Sequence, residues 1–246
     1  MCTVAFVPLR GGGYVLGHNR DERRTRSRGL PPERLERDGR TVVAPRDPDG
    51  GGTWIGLHDD GVTFCLLNAT ESRPERLPPE PISRGLILWE MLHLDGADAI
   101  GTRLAELEDE LRGVRAFHLV VAEPSRGGRP ASSARFRWDG SAVERDHHEG
   151  ARLYVSSSLD PTGAERARAS SWRRFRECHE EISPAQLSEW LASHEPERGP
   201  LSVCMHRPEA RTVSRTLITV LPEAISLSYL EGSPCSPEGP ETLIRL

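Results

Sequence analysis

The sequence predicts an α+β fold built on mostly antiparallel sheets, and three observations lead there. Strand-like runs come first, then two helical stretches, then strands, a second helical pair and closing strands, without the strict strand–helix alternation of a doubly wound sheet. The chain opens on a hairpin pattern, in which residues 3–8 and 14–19 flank Gly11-Gly12-Gly13, a turn whose glycines supply positive φ. Apolar residues recur at helical spacing in the first helical pair, so each pair has a stripe to bury. Two antiparallel sheets, each covered outside by one helix pair, bury both stripes.

Taken in order, a polar, Arg- and Pro-rich stretch over 20–40 reads as loop, followed by short strands near 41–44, 53–57 and 62–67. Gly50-Gly51-Gly52 and Asp59-Asp60-Gly61 are the turns between them, and residues 73–81 form a further loop. Helices are predicted over 83–93 and 95–111, the second carrying Ile100, Leu104, Leu107 and Leu111 as its core stripe. Strands near 117–122, 134–138, 141–145 and 153–156 precede helices over 162–181 and 184–192, the latter capped by Ser183. Strands over 201–206, 215–221 and 224–229 close the chain, and the Pro-rich end from about 233 is expected to be loose. With no internal repeat and no break in composition, residues 1–246 read as a single domain.

Composition removes several functions. At 246 residues, 36% hydrophobic and 28% charged, the chain is long and apolar enough to fold around a core. Its net charge of −5 offers no basic field for a phosphate backbone, so no nucleic-acid partner is expected. All 32 basic positions are Arg. Without lysine there is no Schiff base to a carbonyl or to pyridoxal phosphate and no phosphate-loop lysine. The apolar start at 3–9 contains Pro8 and stops at Arg10, and no run approaches the roughly 20 residues of a membrane span, so a cytoplasmic protein is expected. Five scattered cysteines without a Cys-x-x-Cys pair suggest neither a disulfide framework nor a zinc ribbon.

Cys2 is the residue with the most chemistry in it. Removal of Met1, usual before a small second residue, leaves a thiol and an α-amine on one residue. Their reference pKa values lie near 8.5 and 8, so the amine can take the thiol proton close to neutral pH. The return strand of the hairpin brings Gly17-His18-Asn19-Arg20-Asp21-Glu22 back beside it. A carboxylate there holds an ammonium in place, and a neighbouring Arg or His favours the thiolate. Asn68, closing the strand Phe64-Cys65-Leu66-Leu67, offers an amide NH2 to a developing oxyanion. Read singly, these residues are also ordinary: loop charges, a turn asparagine, a strand histidine.

Met1-Cys2-Thr3, Asn19-Arg20-Asp21-Glu22, Gly51-Gly52-Thr53-Trp54-Ile55-Gly56, Leu67-Asn68 and Ser83-Arg84-Gly85-Leu86, in that order, resemble the NRDE family, relatives of transport and Golgi organisation protein 2. That family in turn resembles the cysteine N-terminal-nucleophile hydrolases, which implies a four-layer αββα sandwich and cleavage of non-peptide amide bonds. The resemblance makes Cys2 the nucleophile, Asp21 the holder of its amine and Asn68 an oxyanion donor, with His18, Asn19 and Arg20 in the same catalytic group. The hydrolases' arginine three residues before the aspartate is His18 here, with Arg20 two residues later on the same strand face. Their second amide donor is replaced by the hydroxyl of Ser157 in Val155-Ser156-Ser157-Ser158-Leu159-Asp160, and a C-terminal arginine is displaced to Arg215. Ser157 and Arg215, with Trp54 beside the triple glycine, are the candidate substrate-binding residues.

Other signals read as structure. Asp47-Pro48-Asp49-Gly50 lacks a glutamate at the twelfth position of a calcium loop and reads as a turn. His147-His148 has no third ligand at standard spacing. Cys204-Met205-His206 offers soft ligands of the kind that hold haem, but in a strand its alternate residues face opposite ways, so Cys204 reads as a core thiol. The expectation is a hydrolase of a small amide or acyl compound needing no metal or organic cofactor. The alternative is a non-catalytic carrier of haem or an acyl lipid on the same fold.

Overall fold

The computed structural model describes residues 2–70, 72 and 77–246. In chain order the elements are β1 (Cys2–Pro8), β2 (Tyr14–Arg23), β3 (Leu30–Arg37), β4 (Arg40–Arg46), β5 (Ile55–His58) and β6 (Thr63–Asn68), then α1 (Arg84–Met91), α2 (Gly96–Glu106) and α3 (Glu108–Leu111). There follow β7 (Phe117–Glu123), β8 (Ser132–Trp138), β9 (Val143–Glu149), β10 (Arg152–Ser156), α4 (Pro161–Glu177), α5 (Pro184–Leu191), β11 (Ala210–Leu221), β12 (Ala224–Ser233), β13 (Ser236–Pro237) and β14 (Thr242–Arg245). Of the loop expected over 73–81, residues 73–76 lie outside the described residues. The chain divides into two compact units, residues 1–26 with 150–246, and residues 27–149.

In the first unit the sheet runs β10-β1-β2-β11-β12-β13, with β14 also on β12. The glycine hairpin forms as its sequence dictates: Gly11 and Gly12 have φ of 99° and 92°, and Leu9 N–H donates to the Gly13 carbonyl at 2.9 Å. Ala5, Val7 and Val15 then share one face and pack against Trp172, Leu187, Trp190 and Leu191 of α4 and α5. Asp160 caps α4 by accepting from Gly163 N–H at 2.8 Å, and Ser183 and Gln186 form a reciprocal capping box on α5.

Three expectations for local structure are corrected. Residues 201–206 form no strand: Cys204 N–H and His206 N–H donate to the carbonyls of Ser193 and Gly199 and Met205 N–H to Thr212 Oγ1, while Ser202, Val203, Cys204 and Met205 are buried by packing. The polar stretch over 20–40 holds β3, an edge strand paired with β4 alone, whose charged residues are those that an edge tolerates. The C-terminal end pairs, β13 with Gly232–Ser233 and β14 with Ser226–Tyr229 of β12.

In the second unit β3 to β9 form a seven-stranded antiparallel meander in sequence order. Phe64, Leu119, Val121 and Phe136 bury one face against Leu88, Leu92, Ile100 and Leu104 of the helical stretch. The expected 95–111 helix is broken at Leu107 into α2 and α3, yet its stripe is core as expected. Two glycines explain a motif: a Cβ on Gly52 would lie 2.0 Å from the Gly85 carbonyl carbon, and Thr53 N–H donates to the Gly85 carbonyl at 3.1 Å. The two backbones cross where a side chain cannot stand.

Candidate active site

Antiparallel register sets Cys2 of β1 opposite Ser156 of β10 on one side and Arg20 of β2 on the other. Opposed residues point to one face, so a row Ser156, Cys2, Arg20, Ser214 crosses four strands. One step along lies a second row, Tyr154, Val4, His18, Thr216, Tyr229. Every residue of both rows is buried. His18 and Arg20 therefore do share a face, and it is the face of the Cys2 sulfur.

Cys2 N–H donates to Ser156 Oγ at 3.0 Å. Burial pushes the Cys2 thiol up from its ordinary value and the Asp21 carboxylate adds to this, while the amino terminus, the Asp21 backbone N–H and Arg20 pull it down. His18 goes the other way: burial, then the charges of Arg20 and the amino terminus, lower it to about 3, so it is neutral at physiological pH. Both its ring nitrogens, and Oγ1 of Thr216 opposite it, are buried without a hydrogen-bond partner. Such groups beside a thiol form a polar strip that a polar ligand can satisfy.

Asp21 lies one residue on, and its carboxylate turns to the opposite face. There it accepts from Arg168 Nη2 at 3.2 Å and from Thr212 Oγ1 at 2.6 Å. Arg168, on α4, also donates to Thr3 Oγ1 at 2.6 Å and to the Ser202 carbonyl at 3.0 Å. A bulge between Thr212 and Ser214 lets Thr212 meet Asp21 while Ser214 stays in the Arg20 row. Asp21 thus reaches Cys2 through its backbone and its field, with its side chain anchored behind the strand.

Other expected site residues are placed differently. Asn19 faces the helices and donates to the carbonyls of Leu191 at 2.8 Å and Val203 at 3.1 Å, so it ties β2 to the end of α5 and the segment beyond. Arg215 shares that face and is held by Ser188, Glu241 and Ser228, away from the Cys2 row, because it neighbours Ser214 and alternates with it. Ser157 is buried just past β10, but the hydroxyl on Cys2 N–H belongs to Ser156. Asn68 ends β6 opposite Phe117, and Trp54 is buried before β5; both belong to the second unit.

Arg168, Ser156 and Thr212 were not singled out from the sequence. A signal did exist for Arg168, which falls on the buried stripe Ala164, Arg168, Ser171, Trp172 at helical spacing. Ser156 and Thr212 need the strand register to be known.

Residues 1–198 match the model of the family described as Transport and Golgi organisation 2. No curated protein matches the sequence. The structure is similar to an N-acylethanolamine-hydrolyzing acid amidase ortholog of Caenorhabditis elegans, with TM-score 0.58 and 13% identity over 88% of this chain and 92% of that one. A conjugated bile acid hydrolase from Clostridium perfringens gives TM-score 0.54 and 9% identity over 100% and 92%, and penicillin V acylase from Agrobacterium tumefaciens 0.50 and 13% over 100% and 86%. These share the αββα fold of the N-terminal-nucleophile hydrolases, which is the fold of this chain. Among the described residues no helix is long and apolar enough to cross a membrane.

Proposed function

The chain belongs to the Transport and Golgi organisation 2 family, and from that premise we propose that it is a cytoplasmic cysteine N-terminal-nucleophile hydrolase of a small non-peptide amide or related acyl compound. The observation that carries the reading is the setting of Cys2: first residue of an interior strand, its nitrogen on Ser156 Oγ and its sulfur facing the Asp21 N–H. The structural neighbours are named as an amidase, an acylase and a bile acid hydrolase, which supports acyl transfer as the reaction class.

Hydrolysis of the Met1–Cys2 bond frees the α-amine, which Ser156 Oγ keeps in place. The amine takes the thiol proton, and the thiolate sulfur bonds to the substrate carbonyl carbon. Backbone N–H groups beside Cys2 hold the oxyanion. The carbon–nitrogen bond breaks, the leaving amine takes the proton from the Cys2 ammonium, and a thioester remains. Water, giving a proton back to the amine, attacks the thioester and restores the thiol with release of the acid. Arg168 and Thr212 fix Asp21, and so the end of β2 opposite Cys2. His18 and Thr216 are the groups that a polar substrate would engage.

Substituting Cys2 with Ala in a chain assayed against a panel of N-acyl amides tests this. Loss of turnover with an unchanged fold is expected. Retained turnover contradicts the mechanism. Saturable binding of haem or an acyl lipid by an inactive wild type would put the carrier reading in its place.

A further inference from the structure

Four side chains with metal-ligating atoms converge in the first unit, apart from the Cys2 row. They are His194 just past α5, Cys204 and His206 in the segment before β11, and Cys235 in the turn between β12 and β13. Their ligand atoms all lie within 4.8 Å of one another. His206 Nε2 is 3.2 Å from His194 Nε2, 3.5 Å from Cys204 Sγ and 3.3 Å from Cys235 Sγ.

Hydrogen bonding does not account for the three contacts of His206 Nε2. One imidazole nitrogen carries either one proton or one lone pair, so Nε2 of His206 can satisfy a single neighbour of the three. A cation at the centre satisfies all four groups at once. Zinc bonds of about 2.0 Å to nitrogen and about 2.3 Å to sulfur, at tetrahedral angles, put nitrogens about 3.3 Å apart and nitrogen and sulfur about 3.5 Å apart. The three distances at His206 match these edges. Two thiolates and two imidazoles are a donor set that selects zinc over harder cations.

We propose that His194, Cys204, His206 and Cys235 hold one zinc ion in a closed, four-coordinate structural site. The absence of a Cys-x-x-Cys pair led to the expectation of no metal. These ligands come instead from three separate segments that only the fold assembles. Residues 192–209 have neither helix nor strand beyond a bridge from His206 to Arg211, and a run of that length needs an anchor. Backbone bonds from Cys204 N–H to Ser193 at 2.9 Å and from His206 N–H to Gly199 at 3.1 Å preset the ligand positions.

The pinned segment also braces the strands behind Cys2. Val203 accepts from Asn19, Ser202 accepts from Arg168, and Met205 N–H donates to Thr212 Oγ1 at 2.8 Å. The ion touches no reacting atom; it fixes the platform on which Asp21 rests. The site stands on its own geometry, whether or not the chain is a hydrolase.

Elemental analysis of tag-free protein purified under reducing conditions tests the proposal. One zinc per chain is expected, falling to none in a Cys204→Ser, Cys235→Ser double variant and unchanged in Cys178→Ser. Because the double variant can fail to fold, wild-type protein stripped with a chelator and titrated with Co2+ provides a second readout. It should develop the intense visible bands of tetrahedral, thiolate-ligated cobalt at one equivalent. Zinc retained by a folded double variant, no cobalt spectrum from the wild type, or a native mass lighter by two hydrogens with a mapped Cys204–Cys235 disulfide would each overturn it.

Discussion

Arg168 of α4 lays its guanidinium 3.2 Å from the carboxylate of Asp21 on β2, and both side chains are withdrawn from solvent, at 1% and 0% exposure. Two charges buried this deeply are tolerated because each is also hydrogen-bonded, Arg168 to Thr3 and Ser202 and Asp21 to Thr212. The pair joins the helix layer of the first unit to the strand end that faces the nucleophile.

Breaking that pair from one side strands a buried charge. Arg168→Met is expected to cost about 3–5 kcal/mol in unfolding free energy. Adding Asp21→Asn in the same chain should recover part of the loss, since the orphaned charge is gone. Urea denaturation of the two single variants and the double variant gives the coupling directly, and strictly additive effects would show that the ion pair is not the source.

His18 makes the first unit sensitive to acid. Its folded-state pKa of about 3 lies below the ordinary histidine value, so unfolded chains bind a proton that folded ones refuse. Stability from this residue is complete above about pH 6.5 and declines by about 1.4 kcal/mol per pH unit as pH falls from there towards 3. A His18→Asn variant, which cannot titrate, should lose that part of the slope when unfolding is followed between pH 7 and pH 4. An unaltered slope would place the acid sensitivity elsewhere.

Gly52 and Gly85 mark a close approach of two backbones in the second unit. Gly52→Ala would put a methyl group within the Gly85 carbonyl, and the backbone has no flexible end to move aside. A loss of about 2–3 kcal/mol is expected. An unchanged urea midpoint would mean that the crossing is not tightly held.

What the sequence made legible follows from how local each feature is. Cys2, His18, Arg20 and Asp21 were identifiable because a short glycine hairpin brings them together, and a hairpin is readable from its turn. Ser156, Arg168 and Thr212 approach from residues 147 or more positions away, where only register and helix packing decide who meets whom. Asn19 and Arg215 lie on the helix face, where strand alternation sends them, and the sequence does not show which face a strand residue takes. The polar edge strand β3 was hidden by its charges, and the buried 201–206 segment imitated a strand. The four converging ligands were invisible for the same reason as Arg168, having no standard spacing in the chain.

The proposed hydrolysis requires a processed and activated nucleophile at Cys2. Intact mass of the purified chain, before and after brief exposure to limiting iodoacetamide at neutral pH with the modified site mapped, tests it most directly. A mass lacking Met1 is expected, with alkylation of Cys2 ahead of Cys178, which is exposed and has the advantage of access. A chain that retains Met1, or a Cys2 that reacts no faster than Cys178, would contradict it, because burial pushes the thiol up and the freed amine beside it is the group that takes its proton.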